Sequence, residues 1–494
     1  MNEKIKKTKL PFTFAKRFGV LVKEISDHKA IIAFHKTPDI DIINEIRRYI
    51  ESPITLKKIS EDEFNQLLVK TYESDSSTAI KAAEDLGESM DLADLMHELP
   101  KSEDLLEKQD DAPIIKLLNA LLSEAIREGA SDIHIETFED KIKIRFRVDG
   151  VLREVLAPQR VLAPLITSRI KVMAKLDIAE KRLPQDGRIT LKMGGRSVDV
   201  RVSTMPTSHG ERVVLRILDK QNARLDLKQL GMEPNSLELM KKLIATPHGI
   251  ILVTGPTGSG KTTTLYAALT ALNNQTRNIL TVEDPIEFDL PGVGQTGVNT
   301  KVNMTFAKGL RAMLRQDPDV VMVGEIRDVE TADIAIQASL TGHLVLSTLH
   351  TNSAIGAITR LGDMGIEPFL ISSSLIGVLA QRLIRILCKN CKTPYKATTK
   401  ECETLGIDSK NPPEIYKSKG CSKCRNLGYS GRSGIYELIA IDDPLKTMIH
   451  EKQAEQKMQS YARTMYPSIR QDGFRRVLQG DTTLAEVLRV TGED

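Results

Sequence analysis

Gly255-Pro256-Thr257-Gly258-Ser259-Gly260-Lys261-Thr262 fits the pattern G-x-x-x-x-G-K-[ST], in which a glycine-rich backbone wraps phosphate groups. The apolar run Ile250-Ile251-Leu252-Val253 precedes it and reads as a buried strand. Thr263 to Leu272 follows and reads as a helix, with Leu265, Ala268, Leu269 and Leu272 at helical spacing. Strand, loop and helix are the context the motif needs, because backbone N–H groups and a helix start then face the phosphate oxygens. Three glycines leave room for that wrapping. The nucleotide-binding set is therefore Gly255, Pro256, Thr257, Gly258, Ser259, Gly260, Lys261, Thr262 and Thr263. Lys261 is expected on the β- and γ-phosphates, and the Thr262 hydroxyl on Mg²⁺.

Three more apolar runs follow in the order of a parallel sheet. Ile279-Leu280-Thr281-Val282 delivers Glu283-Asp284-Pro285-Ile286-Glu287 at its C-terminal end, where ligands of such sheets bind. These carboxylates are expected to face the phosphates, where one can orient and deprotonate a water. Val320-Val321-Met322-Val323 ends in Gly324-Glu325, which makes Glu325 the metal-side carboxylate in a slot where an Asp is common. Leu344-Val345-Leu346-Ser347 is bracketed by His343 and His350, and both histidines are expected to report the γ-phosphate. Each is weak evidence alone; together they read as an ATPase.

Cys388-x-x-Cys391 and Cys421-x-x-Cys424 stand 29 residues apart, a spacing that makes a structural Cys₄ zinc site. Cys402 is left over. Neither pair opens a helix in a βαβ unit, so a redox role is not expected, and disulfides are not expected either.

Composition sets bounds on partners. The 69 basic and 66 acidic residues leave a net charge of only +3, Trp is absent and aromatics are 4%, so nucleic acid is not an expected partner. The lysine-rich start lacks a secretory apolar core, and Leu370 to Ala380 is too short to span a membrane and reads as a buried helix. A soluble, cytoplasmic protein is expected.

In chain order, residues 1–72 read as a small α/β domain, with a strand at Ala30–Phe34 and helices at Ile40–Ile50 and Glu61–Tyr72. Residues 73–111 hold thirteen acidic and three basic residues and read as a linker. Residues 112–218 form an α+β domain. It has a helix from Ile114 to Arg127, a hairpin turning at Asp149-Gly150, a basic helix from Leu165 to Lys175, a turn at Pro184–Arg188, and strands from Arg196 and Arg212. Its Arg188, Arg201, Arg212 and Arg216 are candidates to serve the phosphate loop. Residues 219–232 are a hinge. Residues 233–494 are the P-loop domain, with the zinc insert at 388–424.

From Asp111 onward the chain resembles the secretion traffic ATPases, and most closely the type II secretion (general secretory pathway protein E) family. The resemblance rests on Ala130–Glu136, Asp177–Arg188, Val198–Leu218 with Ser208-His209-Gly210-Glu211-Arg212, the glycine loop, Glu283–Glu287, Val323–Asp328, Gly342–Asn352 and the cysteine pairs. It implies a RecA-like core, a PAS-like preceding domain, and a homohexamer using ATP, Mg²⁺ and Zn²⁺ to power pseudopilus assembly and protein export. Type IV pilus assembly or DNA uptake is the alternative. The cysteine insert also occurs in pilus assembly ATPases and is absent from retraction ATPases. The resemblance further implies Glu287 as general base, Glu325 beside Mg²⁺, His343 and His350 linked to the γ-phosphate, and Arg201 and Arg216 as interdomain arginines. Arg311, Arg315, Arg327 and Arg432 match further arginines of the pattern. Leu10–Arg17 fits the start of a module that docks on an inner-membrane platform protein, and the partners implied include an acidic phospholipid surface.

Overall fold

The computed structural model describes residues 10, 14–15, 18–26, 29–50, 53–60, 63, 64, 67, 112–193, 196–219 and 226–492. The chain divides into two compact units: Met1–Phe146 with Glu154–Ile217, and Arg147–Arg153 with Leu218–Asp494. The linker read at 73–111 lies outside the described residues, as does most of the helix read at Glu61–Tyr72, of which 63, 64 and 67 are helical.

The first unit holds two sheets. Strands β1 (Val20–Ser26), β2 (Lys29–Phe34) and β3 (Ile54–Lys58) form one, with the helix Ile40–Ile50 crossing from β2 to its parallel neighbour β3. Ile46 and Ile50 of that helix pack on Val20, Ala30 and Ile32, so the helical spacing of isoleucines fixes which face turns inward. The second sheet comprises β4 (Asp132–Thr137), β5 (Ile142–Val148), β6 (Val151–Leu156), β7 (Gln185–Met193), β8 (Arg196–Thr207) and β9 (Gly210–Asp219), in the order β6-β5-β4-β9-β8-β7. Asp149 (φ 49°) and Gly150 (φ 83°) make the left-handed turn between β5 and β6. The turn read at Pro184–Arg188 is instead the start of β7, where Gln185 pairs with Thr204 and Arg188 with Arg201. Gly187 sits there because a Cβ would stand 2.7 Å from the Ala174 carbonyl oxygen.

The second unit is built on seven strands: β10 (Gly249–Thr254), β11 (Ile279–Glu283), β12 (Gly294–Gly297), β13 (Val320–Val323), β14 (Leu344–Leu349), β15 (Leu375–Leu387) and β18 (Tyr429–Ala440). Their order is β12-β11-β13-β14-β10-β15-β18, and only β18 runs against its neighbour. Ile250 and Leu252 belong to one core cluster, with the helices Phe306–Met313, Val329–Leu340 and Ala354–Asp363. Ile251 and Val253 belong to the other, with the helices Pro234–Ile244 and Lys261–Leu272. Both faces are covered, which is why the strands read as unbroken apolar runs rather than alternating ones. The buried helix expected over Leu370–Ala380 is half right: the helix Pro368–Ser374 ends at Leu375, where β15 begins and pairs with β10. An apolar run looks the same in a buried helix and a buried strand. Strands β16 (Thr393–Lys396) and β17 (Glu414–Lys417) make a separate ribbon between β15 and β18. No helix among the described residues is long and apolar enough to cross a membrane.

The C-terminal helix Leu484–Thr491 is fastened to β15 by a buried ion cluster. The Glu486 carboxylate, fully enclosed, accepts from the Arg385 backbone N–H (3.1 Å) and guanidinium (2.6 Å) and from Arg489 (2.7 Å). Burial alone would raise its pKa, but the Arg489 and Arg385 donors hold it down at about 2. The contribution is therefore full above the unfolded carboxyl value near 4.5 and fades as pH falls towards 2. Glu486→Ala should cost about 3–5 kcal/mol at pH 7, because a buried guanidinium loses its counter-charge. Denaturant melts of both proteins at pH 7 and pH 3 check this, and the gap between them should narrow at pH 3.

Candidate functional site

Parallel register brings the C-terminal ends of four strands to one edge of the sheet. Thr254 of β10 is level with Leu349 of β14, Val323 of β13 with Ser347, and Val282 of β11 with Val323. The residues that follow these ends, Gly255–Thr262, Asp284–Glu287, Gly324–Arg327 and His350–Asn352, therefore gather at that edge. Side chains lock them together. The Thr254 hydroxyl accepts the Thr351 N–H (2.9 Å) and lies within reach of the Leu349 carbonyl (3.1 Å). The Thr348 hydroxyl donates to the Gly324 carbonyl (2.8 Å), and the Ile326 N–H donates to the Thr348 carbonyl (3.0 Å), so Glu325 is held between two clips to β14.

Within the loop, Gly255, Gly258 and Gly260 all have positive φ and only glycine is at ease there. The Lys261 ammonium, at the start of the helix Lys261–Leu272, donates to the carbonyls of Gly255 (2.8 Å) and Pro256 (3.2 Å). Burial lowers its pKa; the Glu325 carboxylate acts to raise it and the Arg382 guanidinium to lower it further. Glu325 is paired with Arg327 (2.5 Å) and stands 3.5 Å from His350 Nε2. The hydrogen bond from Glu325 raises the Arg327 pKa, with Asp284 adding to it. Lys261, Glu325, Arg327 and His350 thus share one electrostatic cluster. Thr262 is exposed at the loop mouth. The Ser259 hydroxyl is buried and has no hydrogen-bond partner among the described residues, a cost of about 1–3 kcal/mol unless a ligand oxygen meets it. A glycine cradle, a lysine, an orphaned hydroxyl and a flanking carboxylate are a donor set that fits a nucleotide phosphate with its Mg²⁺.

Two expectations about this edge need correction. His343 is not there: it precedes β14, at the opposite end of the strand from the loop, where its Nδ1 lies 2.9 Å from the Ala338 carbonyl oxygen and its own carbonyl accepts from Gly249. Glu283 does not face the loop either. It is 3% exposed, accepts hydrogen bonds from Thr281 (2.6 Å), Gln295 (3.0 Å) and the Tyr266 hydroxyl, and is enclosed by them. Burial and that carboxylate push the Tyr266 phenol above its ordinary pKa. The Tyr266 oxygen in turn accepts the Glu287 N–H (3.3 Å), so the half-buried Glu287 starts from an anchored backbone.

Arg201 and Arg216 lie in the first unit, on β8 and β9. There the stretch Asp132-Ile133-His134-Ile135-Glu136 carries a polar face that sequence reading did not explain. Asp132 pairs with Arg216 (2.9 Å), and Glu136 pairs with Arg212 (2.8 Å) and Arg145 (2.6 Å). His134 Nδ1 is 3.3 Å from Arg212. The alternation of these residues was the available signal, since residues two apart on a strand share a face. Arg311 pairs with Glu330, Arg315 donates to the Arg311 carbonyl, and Arg432 stands opposite Arg385 in the β15–β18 ladder.

The four cysteine sulfurs lie within 4.8 Å of one another. Cys388 and Cys421 are 3.9 Å apart, Cys391 and Cys424 3.6 Å, and Cys421 and Cys424 3.7 Å. A Zn–S bond of about 2.3 Å in tetrahedral geometry gives sulfur–sulfur edges of about 3.8 Å, so the four residues fit a zinc ion. Burial opposes ionisation of Cys424, but N–H donors from Cys421 and Gly428 outweigh it and hold the thiol down at about 6. Cys402 is elsewhere, buried with Leu405, Ile415 and Val487.

Comparison with known proteins agrees with this geometry. The family described as Type II/IV secretion system protein matches residues 107–489, and the N-terminal domain family of GSPII protein E matches residues 9–72. The Type II secretion system protein E of Pseudomonas aeruginosa is 63% identical over 486 residues, covering 98% of this chain and 97% of the relative. The Type II secretion system ATPase E of Vibrio cholerae is 60% identical over 487 residues, again covering 98% and 97%. Among solved structures, the pilus retraction motor PilT with bound ADP matches at TM-score 0.53 and 27% identity, covering 75% of this chain and 95% of PilT. The ATPase DotB of Legionella pneumophila shares the fold at TM-score 0.57 and 20% identity, covering 77% and 96%.

Elemental analysis of the purified chain should find about one zinc per chain. Cys424→Ser should lose most of it, and a cobalt-substituted sample should show thiolate-to-cobalt absorption that the variant lacks.

Proposed function

The chain belongs to the Type II/IV secretion system protein family, and on that premise we propose that it is the ATPase of a type II secretion system. In this reading a homohexamer hydrolyses ATP to drive pseudopilus assembly and protein export, attached to the inner membrane through a platform protein bound by residues 1–72. The observation that carries it is the meeting of Lys261, Glu325, Arg327 and His350 beside a glycine loop with an orphaned Ser259 hydroxyl. The 60% identical relative named as an ATPase supports the activity, and the match of residues 9–72 to the N-terminal domain of GSPII protein E favours type II secretion over pilus assembly.

Each residue has a physical task in this reading. Backbone N–H groups of the loop and Lys261 bind the β- and γ-phosphates. Thr262 and Glu325 hold Mg²⁺, which when bound neutralises charge on the phosphate oxygens. Glu287, anchored through Tyr266, orients the attacking water, and His350 links the γ-phosphate to Glu325. Arg201 and Arg216 from the first unit neutralise charge that builds in the transition state, which requires Arg216 to exchange Asp132 for phosphate. Hydrolysis is then coupled to rigid-body domain motion.

Lys261→Ala should abolish phosphate release at saturating ATP; a near-wild-type rate would remove the loop from the reaction. Arg216→Ala should lower kcat on the order of 10³-fold, as for arginines that act on transition-state charge, with KM changed far less. Deleting residues 1–72 should leave basal ATPase activity measurable while abolishing co-purification with the membrane platform.

A further inference from the structure

Gln381 is an anomaly of β15. It lies in the run Leu379-Ala380-Gln381-Arg382-Leu383, is 1% exposed, and carries an amide that an apolar interior penalises unless its hydrogen bonds are met. Both partners belong to the phosphate loop and the helix it opens. The Gln381 Nε2 donates to the Ser259 carbonyl (2.7 Å), and its Oε1 accepts from the Thr264 hydroxyl (2.8 Å). These two partners flank Gly260, the left-handed residue (φ 88°) where the loop becomes helix. A Cβ on Gly260 would stand 3.3 Å from the Gln381 amide nitrogen. At the loop's other end a Cβ on Gly255 would stand 2.5 Å from the Gln381 carbonyl oxygen. One residue of a neighbouring strand therefore touches the loop at its first and last glycine. Its register explains the contact: Thr254 is level with Ala380, so Gln381 falls beside Gly255. On the other side Tyr436 of β18 pairs with Gln381 and donates its hydroxyl to the Leu230 carbonyl (3.0 Å), which closes the bracket.

We propose that Gln381 is a positioning residue for nucleotide binding, a bracket that holds the Ser259 carbonyl turned away from the loop interior so that the loop's N–H groups face phosphate. A peptide unit has two ends. Fixing its carbonyl on the Gln381 amide fixes the following N–H, that of Gly260, in the opposite direction. Without that hold the peptide is free to rotate and present a carbonyl to an anion. The next residue, Arg382, is tied to the Asn352 carbonyl and side chain (both 3.1 Å), so the same strand grips the loop and the segment after His350. The proposal rests on the phosphate-loop reading above.

The test measures fluorescent ATP and ADP affinity, KM, kcat and melting temperature for the full chain and for Gln381→Met, Gln381→Glu, Thr264→Val and Thr264→Ser. Gln381→Met keeps the volume without the amide and should raise Kd and KM at least tenfold, with kcat at saturation within about threefold. Gln381→Glu keeps the acceptor for Thr264 but sets a carboxylate against the Ser259 carbonyl, and should bind nucleotide more weakly still. Thr264→Val should raise KM severalfold, and Thr264→Ser should restore it to within twofold. A lower melting temperature with Kd and KM within twofold of wild type would reduce Gln381 to a packing residue and overturn the proposal. If Gln381→Met fails to fold, the Thr264 pair decides: equal KM in Val and Ser variants overturns it, and rescue by Ser upholds it. A wild-type chain that neither binds nor hydrolyses ATP would instead refute the reading on which the bracket depends.

Discussion

The close approach of β15 to the phosphate loop is the constraint on which the rest of the second unit depends. The loop runs beside Gln381 with no space for a side chain at Gly255, where even the Ser259 hydroxyl would be 2.7 Å from a Cβ. Such contact requires β10 and β15 to be neighbours in parallel register, which requires the intervening chain to cross over and return. The helices of that crossover cover both faces of the sheet, and their cores lie either side of β10. Loop geometry, strand order and core are therefore one problem with one solution.

The site is built with the same economy. Strand ends that stop level with one another supply catalytic-type side chains at one edge without any of them needing a special loop. Short hydroxyl residues at those ends, Thr254, Ser347 and Thr348, then clip each segment to the next. The carboxylates divide by position. Glu283, the last residue of its strand, is enclosed and structural, whereas Glu325, two residues past its strand, stands in the charged cluster.

Much of this was legible in the sequence because buried parallel strands and a glycine loop leave strong marks. Strand β13 and the helix Ile40–Ile50 have the bounds their apolar patterns give. What was misread has physical causes. Pro-Gln-Asp-Gly-Arg has the composition of a turn, yet Gly187 is demanded by a packing contact inside a strand. His343 and His350 look equivalent around one strand, yet a strand has a direction, and only the residue after it can stand beside a loop that also follows its strand. Gln381 and Arg382 interrupt an apolar run, a visible signal whose meaning needed the register of β15 against β10. The alternate acids of β4 needed the partner strand β9 to show that they hold arginines.

The distance along the chain between the two halves of the loop's cradle has a consequence for how the protein is made. Gly255 leaves the ribosome long before Gln381, and at 5–20 residues per second the delay is on the order of ten seconds. Throughout that interval the nascent chain carries a glycine loop whose flanking strand is not yet there to shape it. The N-terminal sheet, by contrast, has all its strands within the first 58 residues. Birth order thus gives the chain its N-terminal sheet well before a finished phosphate loop, so a nascent chain is ready to meet a partner before it is ready to meet its fuel.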